Sequence, residues 1–88
     1  MIKFYKIRHK ETGFFFKPLK HPDKNNLSKF GKIYARKPTL KHLQGLVCLG
    51  FVKLDDKFIL LETKTSLQKF NPADWEIVEY IGQEVAVY

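Results

Sequence analysis

The chain has one cysteine, Cys48, and therefore no internal disulfide. Cys48 lies in the apolar run Leu46-Val47-Cys48-Leu49, where burial makes a thiolate costly. The expected state is a buried, reduced, unreactive thiol in a reducing compartment. Histidine is also scarce. His9, His21 and His42 are spaced by twelve and twenty-one residues, which matches no zinc pattern when only one thiol is at hand. The five glycines are nowhere near phosphate-loop spacing, so nucleotide hydrolysis has no support. Ser28 and Ser66 stand in no nucleophile signature. No apolar run approaches the ~20 residues of a membrane-spanning helix. The start, Met1-Ile2-Lys3-Phe4-Tyr5, lacks the hydrophobic core of a signal peptide. These absences lead us to expect a soluble, cytoplasmic protein that is not an enzyme and holds no cofactor or metal.

What is present is apolar material for one core. Hydrophobic residues are 44% of the 88, and eight Phe, four Tyr and one Trp bring aromatics to 15%. That composition is too apolar for a disordered chain, and the length suits one domain over residues 1–88. Charge is unevenly divided. Residues 1–44 carry twelve Lys/Arg against Glu11 and Asp23, a net of +10, whereas residues 45–88 carry four Lys against seven acids, a net of −3. A basic half of this kind points to an acidic partner.

Alternation and turn residues set the expected elements. Ile2 to Arg8 and Phe14 to Lys17 read as the arms of a hairpin turning at Thr12-Gly13. Leu19 to Gly31 reads as a loop with one helical turn near Leu27 to Phe30, and Lys32 to Arg36 as a third strand ended by Pro38. Thr39 suits a helix N-cap. Leu40, Leu43, Leu46 and Val47 follow at helical spacing, so a helix closing at Gly50 is expected. Phe51 to Leu54 and Phe58 to Leu61 flank Asp55-Asp56-Lys57 as a second hairpin, with a continuous helix as the rival reading. A helical turn is expected within Thr63 to Phe70, then a turn at Asn71-Pro72-Ala73-Asp74. Trp75 to Ile81 follows as an interior strand opening on a core tryptophan. Gly82 breaks it, and Val85 to Tyr88 add a short strand or fray. The expected fold class is α+β, a small, mostly antiparallel sheet with one short helix packed across it. Lys3, Lys6 and Arg8 on the first strand and Glu76 and Glu79 on the last suggest that the two termini pair in the sheet.

The candidate binding face is the basic, aromatic first half: Lys6, Arg8, Lys10, Lys17, Lys20, Lys32, Tyr34, Arg36, Lys37 and Lys41. Cations gathered on strands suit an acidic protein or a nucleoprotein complex. The interleaved rings keep direct DNA or RNA binding open as an alternative. Most of these cations are Lys, and Arg, the preferred reader of base edges, occurs only at Arg8 and Arg36. Lys17-Pro18-Leu19-Lys20-His21 echoes Lys37-Pro38-Thr39-Leu40-Lys41-His42, an echo too short to mark a repeat. A weaker alternative is a small metal-dependent hydrolase using Asp55, Asp56 and Glu62, although Asp55-Asp56-Lys57 reads more simply as a turn.

Three segments carry a family resemblance: Tyr5-Lys6-Ile7-Arg8-His9-Lys10-Glu11-Thr12-Gly13, Gly31-Lys32-Ile33-Tyr34 with Lys37-Pro38, and Trp75-Glu76-Ile77-Val78-Glu79-Tyr80. Together they resemble small, mostly uncharacterised proteins of tailed bacteriophages. The resemblance carries no catalytic motif. It implies expression in the bacterial cytoplasm during infection and action by binding, as an inhibitor or modulator of a host or defence component.

Overall fold

The computed structural model describes residues 3–18, 25–42, 45–61, 65–81 and 83–87. Strand β1, Phe4–His9, and strand β2, Phe15–Phe16, form the expected first hairpin, with Arg8 opposite Phe15. Gly13 takes φ +77 and donates its N–H to the His9 carbonyl at 2.8 Å. The expected helical turn near Leu27 is instead strand β3, Leu27–Ser28, paired with β2. Two asparagines explain the change. The Asn25 side chain donates to the carbonyls of Gly50 and Leu61 and accepts from the N–H groups of Leu27 and Gly50. Asn26 Oδ1 accepts from the Cys48 N–H at 2.8 Å. These side chains occupy ladder positions that a helical turn would abandon. The third expected strand shrinks to one antiparallel bridge, with Tyr5 and Tyr34 exchanging two 2.8 Å backbone bonds.

The helix expected after Thr39 does not form, which overturns the α+β assignment; among the described residues the protein is all-β apart from two 3-10 turns. Leu40–His42 makes one such turn. Gly45 then takes φ +107, outside the helical region, and Leu46–Leu49 is strand β4. The helical spacing of Leu40, Leu46 and Val47 was a coincidence of composition: Leu46 is 66% exposed while Val47 is buried. Leu43 lies outside the described residues. The second hairpin is real. Strands β5, Phe51–Leu54, and β6, Lys57–Leu60, join through Asp55 and Asp56 at φ 49 and 63. Two positive φ values in a two-residue loop are the type I′ geometry that matches strand twist. The helical turn expected before Phe70 is also a strand, β7, Ser66–Lys69, which pairs with β4.

Asn71 caps a 3-10 turn at Pro72–Asp74, its side chain accepting from the Ala73 N–H. Strand β8, Trp75–Ile81, follows, then strand β9, Gln83–Val87. One antiparallel sheet has the order β3-β2-β1-β8-β9, so the N-terminal strand lies beside the last long one as the charges suggested. Arg8 meets Glu76 at 2.7 Å and Lys3 meets Glu79 at 3.5 Å. The pairs β4-β7 and β5-β6 form two small ribbons.

Register assigns the faces. Tyr5 lies opposite Glu79, Ile7 opposite Ile77 and His9 opposite Trp75 on the inner face. There they join Phe16, Leu27, Val47, Leu49 and Phe70 in the core. Trp75 is 2% exposed and is the centre of this packing. Phe70 stacks on it at 5.5 Å, while Phe16 and His9 meet it edge-on at 5.6 and 5.0 Å. Cys48 is buried, as expected.

Candidate functional site

The outer face of the large sheet holds Phe4 opposite Tyr80, Lys6 opposite Val78 and Arg8 opposite Glu76, with Phe15 beside Arg8. The Phe4 and Tyr80 rings stack at 4.9 Å, nearly parallel. Lys6 Nζ lies 4.8 Å from the Phe15 ring centre and 5.8 Å from that of Tyr80. Its cross-strand neighbour Val78 is fully buried although it faces away from the main core. The face is a cation-and-ring surface that also carries the acid Glu76.

The other candidate residues spread from this face along the basic half. Lys10 and Lys17 are exposed beyond the ends of β1 and β2. Lys32 is exposed with Nζ 5.0 Å from the Tyr34 ring, and burial pushes the Tyr34 phenol pKa up. Tyr34 packs towards the core, so its ring is not an open stacking platform. Arg36, Lys37 and Lys41 are exposed between Tyr34 and the ribbons. Lys20 lies outside the described residues. Between described residues two ion pairs form, and they engage Lys3 and Arg8. Lys10, Lys17, Lys32, Arg36 and Lys41 make no ion pair with a described residue.

His9 sits inside rather than on a surface. It is 4% exposed, between Trp75 and Phe51, and its Nδ1 lies 3.0 Å from Thr12 Oγ1. Burial lowers its pKa below the usual 6.5, against a weaker upward pull from Glu11 and Asp74. His21 lies outside the described residues, as does Glu62. Among the described residues no three His, Cys, Asp or Glu side chains converge as a metal site would require. Asp55 and Asp56 form the exposed tip of the second hairpin.

One feature had no readable signal in the chain: a groove of about 540 Å³ between β6 and the segment Leu27 to Phe30. Phe58, Ile59, Leu60 and Leu61 line one wall in unbroken succession. Phe30, 79% exposed, stands on the other. The polar run Asn25-Asn26 gave no hint that it would anchor that wall.

No helix among the described residues is long and apolar enough to cross a membrane. No family model, curated protein or solved structure matches this chain.

Proposed function

We propose that this is a non-catalytic binding protein that meets an acidic surface, on a protein or nucleoprotein complex, through the cations of its first half and modulates that partner. The observation that carries this reading is the surplus of exposed positive charge. The sheet neutralises Lys3 and Arg8 internally, while Lys10, Lys17, Lys32, Arg36 and Lys41 remain exposed and make no ion pair with a described residue. Leaving so many like charges on a small domain costs self-repulsion, which an acidic partner relieves. The resemblance to tailed-bacteriophage proteins makes the partner a host or defence component and the compartment the bacterial cytoplasm.

Direct nucleic-acid binding is the second reading, favoured by Phe4, Tyr80, Phe15 and Lys6 sharing one sheet face. It is weaker because Lys6 is already held against two rings and Glu76 places an acid on that face. Affinity capture from bacterial lysate, with and without nuclease, separates the two. A protein retained after nuclease supports the first reading, and recovery of nucleic acid alone supports the second.

A further inference from the structure

We propose that the outer edge of β6 is a docking edge where an extended acidic-and-apolar segment of a partner protein adds as an extra strand. The word acidic rests on the function proposed above; the strand addition rests on the edge itself.

Hydrogen-bond phase shows which way β6 points its backbone. The two-residue turn makes Leu54 and Lys57 a bonded pair. Val52 with Ile59 is the next bonded pair, and Gly50 with Leu61 follows, where the Leu61 N–H donates to the Gly50 carbonyl at 3.1 Å. Alternation then turns the N–H and C=O groups of Phe58 and Leu60 away from β5, toward the groove. None of the backbone bonds made outside the strands among the described residues involves Phe58 or Leu60.

The composition of this edge is unusual. Exposed edges are normally guarded by charge or proline. Strand β7 has Ser66, Gln68 and Lys69, whereas β6 presents Phe58-Ile59-Leu60 after a single Lys57. It is sheltered by position instead, since the Leu27 to Phe30 wall stands across from it. That wall also selects the occupant. An open edge invites pairing with a second copy, but a walled slot admits a single strand. A strand occupies about 155 Å³ per residue from its rise, its lateral spacing and the sheet-to-sheet distance. The 540 Å³ groove therefore holds a segment of about three to four residues, close in length to the Phe58 to Leu61 wall. Phe30, Ile59 and Leu27 would bury its apolar side chains. Lys29 on the groove wall and Lys57 at the strand end would meet acidic ones. Backbone pairing supplies affinity and the alternate side chains supply specificity in this mode of recognition.

Amide hydrogen exchange on the full chain tests the proposal, with a blocked hexapeptide of alternating glutamate and valine as probe. The expected result is at least tenfold added protection at the Phe58 and Leu60 amides, with Ile59 unchanged because it is already bonded to β5. Phe30→Ala should weaken the effect at least tenfold while leaving the thermal midpoint in place, since that ring is mostly exposed. The lysine-valine counterpart should protect at least tenfold less. Absence of added protection at peptide concentrations up to about 1 mM would overturn the docking edge. So would protection of Phe58 and Leu60 that grows with protein concentration alone, which would mean a second copy on the edge. Equal protection by the lysine peptide would overturn the acidic chemistry. The readout uses neither the captured partner nor residues 32–37, so its failure is distinct from failure of the function proposed above.

Discussion

His9 is a titratable group sealed among aromatic rings, and this gives the protein a pH dependence with a definite sign. Its folded pKa is lowered, so above the usual value of 6.5 the ring is neutral in both states and the full stability is present. As pH falls through 6.5 the unfolded chain takes up a proton that the folded chain resists, and stability declines by at most about 1.4 kcal/mol per pH unit until the folded pKa is reached. Denaturant unfolding at pH 7.5 and 5.5 should show this loss, and His9→Phe should remove the part due to this residue. Gly31 makes a second prediction. It takes φ +69, and an added Cβ would strike the Phe15 Cβ and press on the Phe16 carbonyl. Gly31→Ala should cost more than about 1 kcal/mol by chemical denaturation, while Gly13→Ala, with open space around it, should cost less. The burial of Trp75 was readable because a small domain needs its bulk. The role of Asn25 was not, because an asparagine that replaces ladder bonds looks in sequence like one in a loop.

Elements whose partners lie close in the chain were legible. The first hairpin followed from alternation around a turn residue, the second from two apolar runs flanking Asp55-Asp56-Lys57 with a continuous helix as the rival reading, and β8 from apolar groups on both faces. Its pairing with β1 followed from complementary charge. Strands β4 and β7 were missed because each is short and its partner lies about twenty residues away, so no local signal marks the pairing. Their residues satisfy other patterns by chance: Leu46 and Val47 a helical spacing, Ser66 to Lys69 a polar helical turn. Tertiary pairing overrides such weak local preference. The second hairpin also carries a cost that can be relieved. Asp56 holds φ 63, a region glycine occupies without strain. Asp56→Gly should raise stability by about 1 kcal/mol and leave the register of β5 and β6 intact, as cross-strand nuclear Overhauser contacts would report. A loss of stability would mean that the Asp56 side chain contributes more than its backbone strain costs.

At the scale of the whole molecule, the sheet separates two roles. Its inner face is committed to the core around Trp75. Its outer face holds the half-buried Lys6 against two rings, while the exposed cations Lys10, Lys17, Lys32, Arg36 and Lys41 lie beyond its strands, so the basic candidates could be read as a charge excess but not as a shape. Arg8 was read as a contact residue, and the fold pairs it with Glu76 at 2.7 Å. The groove beside β6 was not legible, because it arises where the large sheet and a ribbon fail to meet, and sequence periodicity carries no record of a gap. The proposed function depends most directly on the charge excess. The decisive measurement is the affinity of the captured protein partner for the wild-type chain and for the Lys32→Glu, Arg36→Glu, Lys37→Glu triple variant, across ionic strengths around the physiological value where the Debye length is about 8 Å. We expect wild-type affinity to fall as salt rises and to level off at an apolar remainder, and the variant to bind at least tenfold more weakly at low salt with its thermal midpoint unchanged. Equal affinity of the two proteins at every salt concentration would contradict a basic contact surface.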